Sequence, residues 1–116
     1  MYKFIDLHTH SYISDGSSSP PEIIKAEYKN NLKAISLTDH DSIDGIKEAS
    51  AVSKKYNIEF LTGIEINSLY NHKRILHIIG LGIDINNKYF LNSCTNNEIR
   101  QIIEVLKLLI DYTLIS

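Results

Sequence analysis

The sequence is poor in several features that would assign it to a broad class, and each absence excludes something. It has one cysteine, Cys94, so no internal disulfide can form, and that residue lies in a polar stretch where an incidental role is expected. It has no block of like charge: 12 Lys and Arg stand interspersed with 14 Asp and Glu, for a net charge of −2. A dedicated nucleic-acid binder would show a basic patch or stripe, although a nucleotide stays open as a substrate. No long apolar run is present. The opening MYKFIDLHTH cannot serve as a signal peptide or a membrane span, which fits a cytoplasmic protein. HExxH, CxxC, GxSxG and Walker patterns are missing, and Gly80-Leu81-Gly82 lacks the third glycine of a dinucleotide loop because position 85 is Ile85. There is no internal repeat, low-complexity segment or linker.

What is present suits a single soluble domain of 116 residues, 43% apolar and 22% charged. Residues 2–7 read as a strand. Ser19-Pro20-Pro21-Glu22 then signals a helix start, with Ser19 as N-cap, proline in the first turn and Glu22 closing a capping box. Ile23, Ile24 and Tyr28 begin its apolar face, and Asn30-Asn31 can end it. Residues 33–38 form a second strand, followed at helical spacing by Ile46, Ala49, Val52 or Ser53, and Tyr56. Residues 58–66 read as a third strand that bends at Gly63, Asn71-His72-Lys73 as a turn, and residues 75–83 as a fourth strand. Thr95-Asn96-Asn97-Glu98 reads as a second capping box, opening a helix through about Leu114. The alternation of strands and helices predicts right-handed crossovers and a parallel sheet, open or barrel-like.

The last helix is apolar over more than half its circumference. Ile99, Ile102, Ile103, Leu106, Leu109, Ile110 and Thr113 make one face, which Val105, Leu108 and Tyr112 widen. A helix of that kind packs on more than one neighbour, so a covering element is expected beyond it or from another chain.

Five histidines are the most informative residues. His8 and His10 end the first strand two positions apart and therefore share a face, with Asp6 on the same side, where it could orient a ligand histidine. Two converging imidazoles suit a transition metal. Asp15 lies in the following loop, where Asp15-Gly16 would otherwise be an ordinary turn. Asp39, His40 and Asp41 fall at the carboxyl end of the second strand, either as a cap for the next helix or at the end where sheets and barrels of this type hold ligands. Glu65 stands between isoleucines in an otherwise buried strand, a costly position unless the carboxylate is paired or binds metal. His77 poses the same question within an apolar run. His72, in a turn beside Lys73 and Arg74, reads as solvated.

In order, DLHTHSYISDG, TDHDSIDG, GIEI and HIIG resemble the early motifs of the polymerase and histidinol phosphatase (PHP) superfamily, closest to its stand-alone metal-dependent phosphoesterases. The resemblance covers the chain up to its final helix. It implies an α/β fold, the N-terminal portion of a distorted seven-stranded (β/α), TIM-like barrel, with residues 1–116 forming a partial PHP domain of four to five strands and a C-terminal helix. It implies that His8 and His10 bind a first metal, that Glu65 bridges first and second, that His77 binds the second, and that Asp15 and His40 bind a third. Asp39 is then expected as a catalytic residue. The family adds a later histidine and an Asp and His on its last strand, and no histidine follows His77 here.

Such a site suits phosphate-ester hydrolysis, because clustered divalent metals lower the pKa of water and neutralise phosphoryl oxygens. Mixed imidazole and carboxylate ligands suit manganese, iron or zinc, two or three of them in the complete family site. The expected substrate is a small phosphorylated molecule, possibly a nucleotide, and the alternative is a non-catalytic metal-binding remnant. Amidohydrolases also begin with His-x-His but lack the TDH and GIE motifs in these places. No membrane partner is expected, and a homo-oligomer through the C-terminal helix is.

Overall fold

Local chemistry decides where the first helix begins and ends. In the computed structural model, which describes residues 3–95 and 99–113, the Ser19 hydroxyl accepts from the Glu22 amide at 3.3 Å and the Glu22 carboxylate accepts from the Ser19 amide at 3.4 Å. This reciprocal cap opens helix α1 (Pro20–Lys29), with prolines in positions whose amide would have no partner anyway. Asn30 ends it, and Asn31 turns the chain with φ 61°, a conformation asparagine tolerates.

Around α1 stand strand β1 (Phe4–Thr9) and strand β2 (Leu32–Leu37), followed by helix α2 (Ile46–Lys55) and the long strand β3 (Glu59–Tyr70). The three strands are parallel neighbours in the order β1-β2-β3. Their outer face and the two helices bury Ile24, Ile35, Leu37, Ala49 and Ile58 together. Each such side chain contributes about 1.5–3 kcal/mol on burial. The start of β1 as read at residue 2 lies outside the described residues.

At Gly63 strand β3 changes partner. Residues 59–62 pair with β2, and residues 63–70 pair with strand β4 (Arg74–Leu81). A Cβ at Gly63 would stand 2.3 Å from the Ser36 hydroxyl, so only glycine lets the strands cross this closely. The β3–β4 pair is antiparallel, against the expectation of a wholly parallel sheet. The reason is the short turn: Asn71 and His72 both take positive φ, 51° and 57°, and reverse the chain at once. A parallel return needs a crossover of about a dozen residues. The result is a curled α/β sheet, half of a TIM-like barrel.

The C-terminal part departs further from expectation. Residues 88–95 form helix α3 (Lys88–Thr95), followed by the short strand β5 (Arg100–Gln101), parallel to β3, and helix α4 (Ile102–Tyr112). Thr95 is thus the last residue of one helix rather than the cap of the next, while residues 96–98 and 114 of the expected capping box and helix lie outside the described residues. The signal for α3 was Asn87, whose side chain accepts from the Phe90 amide at 3.0 Å, and Phe90 itself is fully buried. Phe90 joins Ile64, Ile66, Ile83, Val105 and Leu109 in a second core. Among the described residues only one side of α4 is covered: Ile103 is 64% and Ile110 76% exposed, and Leu106 is exposed as well. Among the described residues no helix is long and apolar enough to cross a membrane.

These contacts set a graded expectation for stability. Leu109→Ala should cost about 2–5 kcal/mol by opening a cavity in the second core, and Ser19→Ala about 1 kcal/mol by uncapping α1. Denaturant unfolding of the two variants checks the order, and equal losses would show that α4 does not pack as described.

Candidate metal centre

Strand geometry gathers the candidate side chains at one end of the half-barrel. His8 and His10 leave the end of β1 on a common side, with ring centroids 5.0 Å apart. His40 follows β2 and pairs by an isolated bridge with Glu65 of β3. On β4, His77 lies opposite Asn67 and therefore diagonal to Glu65, close enough for long side chains to meet.

Glu65 is the point where they converge. Its side chain is 4% exposed, and its Oε1 lies 2.6 Å from His8 Nε2 and 3.0 Å from His10 Nε2. Its Oε2 lies 2.9 Å from His77 Nδ1 and 3.8 Å from His40 Nδ1. Burial pushes the Glu65 carboxyl upward, but the hydrogen bond with His8 and the charges of His40, His8 and His10 outweigh it and hold the group below the ordinary glutamate value. Asp15, on the exposed loop after β1, spans the next two imidazoles, 3.5 Å from His10 Nδ1 and 3.2 Å from His40 Nε2. The His10 and His40 rings stack with centroids 4.6 Å apart.

Three overlapping sets of ligand atoms result: His8, His10 and Glu65; His10, Asp15 and His40; His40, Glu65 and His77. Their chemistry fits divalent metal. Two imidazole Nε2 atoms face each other at 3.1 Å beside one carboxylate oxygen, an arrangement in which protons cannot satisfy every lone pair. Ligands about 2.1 Å from a tetrahedral ion stand roughly 3.4 Å apart, so the first set needs to open by less than about 1 Å. His40 Nδ1 is buried without a hydrogen-bond partner, as is Asn67 Oδ1.

Two expected residues take other places. Asp39 is 1% exposed and accepts three hydrogen bonds of 2.7 Å, from the Ser11 amide, the Ser11 hydroxyl and the Ser14 hydroxyl. It is not among the groups that meet at Glu65, and it reaches His10 only through Ser14, so its geometry does not carry the expected catalytic role. Asp6 accepts from the backbone amide of His8 at 3.2 Å, which steadies the strand rather than the imidazole. His72 lies in the β3–β4 turn, exposed, with Gln101 Nε2 2.9 Å from its Nδ1.

Further residues support the site from around it. Ser11 and Ser14 look like ordinary loop serines. Asp41, at φ 49°, accepts from the Asn67 amide at 3.1 Å and its side-chain nitrogen at 2.9 Å, tying the loop after β2 to β3. Burial raises the Asp41 carboxyl, against the opposing pull of Asn67, His40 and His77. The loop after β1 also needs Gly16, where a Cβ would meet the His10 carbonyl oxygen at 2.3 Å.

Comparisons with known proteins bear on the family. Over 84 residues, 72% of this chain, the sequence is 43% identical to a 5'-3' exoribonuclease of Haemophilus influenzae, of which the match covers 30%. Over 80 residues, 69% of this chain, it is 41% identical to a 3',5'-nucleoside bisphosphate phosphatase of Chromobacterium violaceum, of which the match covers 28%. The chain therefore spans less than a third of the length of these relatives. A solved structure of an amidohydrolase from Chromobacterium violaceum, holding sulfate and no metal, superposes with a TM-score of 0.72 and 38% identity over 77% of this chain and 31% of that one. The PHP domain family matches residues 6–112, the stretch that carries every one of the converging side chains, and the chain belongs to that family.

Proposed function

We propose that residues 1–116 are a partial PHP domain contributing the metal-binding end of a phosphoesterase that hydrolyses a small phosphorylated substrate, with a nucleotide as the favoured class. The single observation that carries this reading is the buried Glu65 carboxylate facing His8, His10 and His77 at 2.6, 3.0 and 2.9 Å. In this reading His8, His10 and Glu65 would hold a first metal, Glu65 and His77 a second, and Asp15 with His40 a third. Manganese, iron and zinc all suit the donors. When bound, such ions activate water at neutral pH and neutralise charge on a phosphoryl group. The protein's own part is to fix the donors on strand ends and to keep Glu65 ionised among imidazoles. The nucleotide class is supported by the names of the two relatives and by the sulfate, a tetrahedral dianion, held by the structural neighbour.

A second reading is a non-catalytic metal-binding remnant: the three ligand sets account for metal binding without a further catalytic group. Among the described residues the three ligand sets draw on six side chains. The exposed Ile103, Leu106 and Ile110 of α4 support self-association through that helix, since apolar patches of this kind drive contact.

Elemental analysis of the tag-free chain should find manganese, iron or zinc. His8→Ala or Glu65→Ala should weaken binding by about tenfold or more, since even outer partners of a ligand cost that much, whereas His72→Ala should leave it unchanged. Equal losses for His72→Ala and His8→Ala would refute the assignment. Chelation should remove about 3 kcal/mol when metal stands at a hundred times its Kd, lowering Tm by roughly 10 °C. A metal-loaded sample whose Tm ignores the chelator would count against a buried cluster.

Activity and assembly are measured together. The chain alone should hydrolyse a 3',5'-nucleoside bisphosphate weakly with added manganese, and light scattering should show a dimer or larger species that Ile103→Asp with Ile110→Asp converts to monomer. Strong hydrolysis by the monomer would show that six ligands suffice and would end the remnant reading.

A further inference from the structure

Ser14 and Asp39 stand behind the cluster and are not ligands in the reading above, yet their hydrogen bonds constrain one. We propose that Ser14, backed by Asp39, is a positioning residue that holds His10 in the tautomer with its proton on Nδ1. This leaves His10 Nε2 bare beside His8 and Glu65, which is how the serine would act on the ligand set proposed above.

The argument starts at the buried carboxylate. Three donors converge on Asp39 at 2.7 Å each, two of them on Oδ1, so its oxygens act as acceptors only. A serine hydroxyl has one proton, and that of Ser14 points to Asp39 Oδ1. Toward His10 Nδ1, at 3.4 Å, Ser14 can therefore only accept. Asp15 Oδ1, at 3.5 Å from the same nitrogen, is a second acceptor. Both neighbours of Nδ1 thus favour a proton there.

The other side of the ring agrees. His8 Nε2 and His10 Nε2 are 3.1 Å apart and face the same Glu65 oxygen, and a hydrogen bond between the two nitrogens needs one of them without its proton. His8 makes the shorter contact with that oxygen, 2.6 against 3.0 Å, and is the natural donor. His10 Nε2 is then the nitrogen with the free lone pair. The serine is well placed because the loop is pinned: the amides of Ser14 and Gly16 both donate to the Ser11 carbonyl, at 3.2 and 2.9 Å. This is the arrangement in which an outer partner on one ring nitrogen fixes the other for metal, with a hydroxyl relaying a buried carboxylate.

The tautomer itself is independent of metal, while its consequence for ligation rests on the proposed metal-binding reading. The test is therefore made in both states. Long-range ¹⁵N–¹H spectra of the metal-free chain at about pH 9, where imidazoles are neutral, should show His10 protonated on Nδ1. Ser14→Ala should shift the signal toward the other tautomer and Ser14→Thr should restore it. Ser11→Ala removes a bond to the same carboxylate without touching His10, and should leave the tautomer as it is. Zinc affinity by chelator competition should fall about tenfold in Ser14→Ala and return in Ser14→Thr. A wild-type His10 carrying its proton on Nε2 would overturn the proposal, as would a tautomer indifferent to Ser14 or one that moves equally in Ser11→Ala. If Ser14→Ala does not fold, the wild-type and Ser14→Thr spectra decide. If the wild type takes up no zinc but shows the Nδ1 proton and its dependence on Ser14, the metal reading fails and this one stands.

Discussion

One buried negative charge organises this molecule. Glu65 sits in the strand that joins both halves of the sheet, flanked by Ile64 and Ile66, which belong to the second core. An ionised carboxylate in such a place costs several kcal/mol unless it is compensated. The compensation comes from three other strands: His8 and His10 at the end of β1, His40 after β2, and His77 within β4. Placing Glu65 thus requires the strand order β1-β2-β3-β4 and the change of partner at Gly63. Imidazoles packed around one carboxylate repel one another when charged and compete for its lone pairs when neutral. A divalent cation among them resolves both conflicts.

Support for that centre comes in layers that differ in kind. Asp41 and Asn67 tie the loop after β2 to β3 and so set the position of His40. Ser11, Ser14 and Asp39 tie the loop after β1 to the end of β2 and stand behind His10. The first tie joins the loop that carries His40 to the strand of Glu65, and the second joins the two strand ends that carry His8, His10 and His40. The loops, although at the surface, are therefore held by buried carboxylates rather than by their own short-range preferences.

Much of this was legible in the residues themselves. Ser19 with Glu22, and the terminal asparagines of α1, are local signals and acted locally. His8 and His10 share a side because alternation in a strand is a short-range rule, and Glu65 between isoleucines announced a compensated charge. What could not be read depended on contacts distant in sequence. The antiparallel return of β4 rests on the left-handed backbone of Asn71 and His72, and a turn alone does not reveal which strand will be the partner. The pattern Thr95–Glu98 imitates a helix start, yet burial of Phe90 makes Thr95 the end of α3 instead. Asp39 looked like chemistry because it adjoins His40 in sequence, whereas its side chain turns to serines 25 and 28 positions away. A motif names residues; it does not say which way each one faces.

The most direct test of a metal centre organised by Glu65 is anomalous diffraction from crystals grown with manganese or zinc, recorded on both sides of the metal's absorption edge. The account predicts a strong peak among His8 Nε2, His10 Nε2 and a Glu65 oxygen, with further density toward His77 or toward Asp15 and His40. A fully soaked crystal with no peak there, in which Glu65 is satisfied by imidazole protons alone, would contradict it.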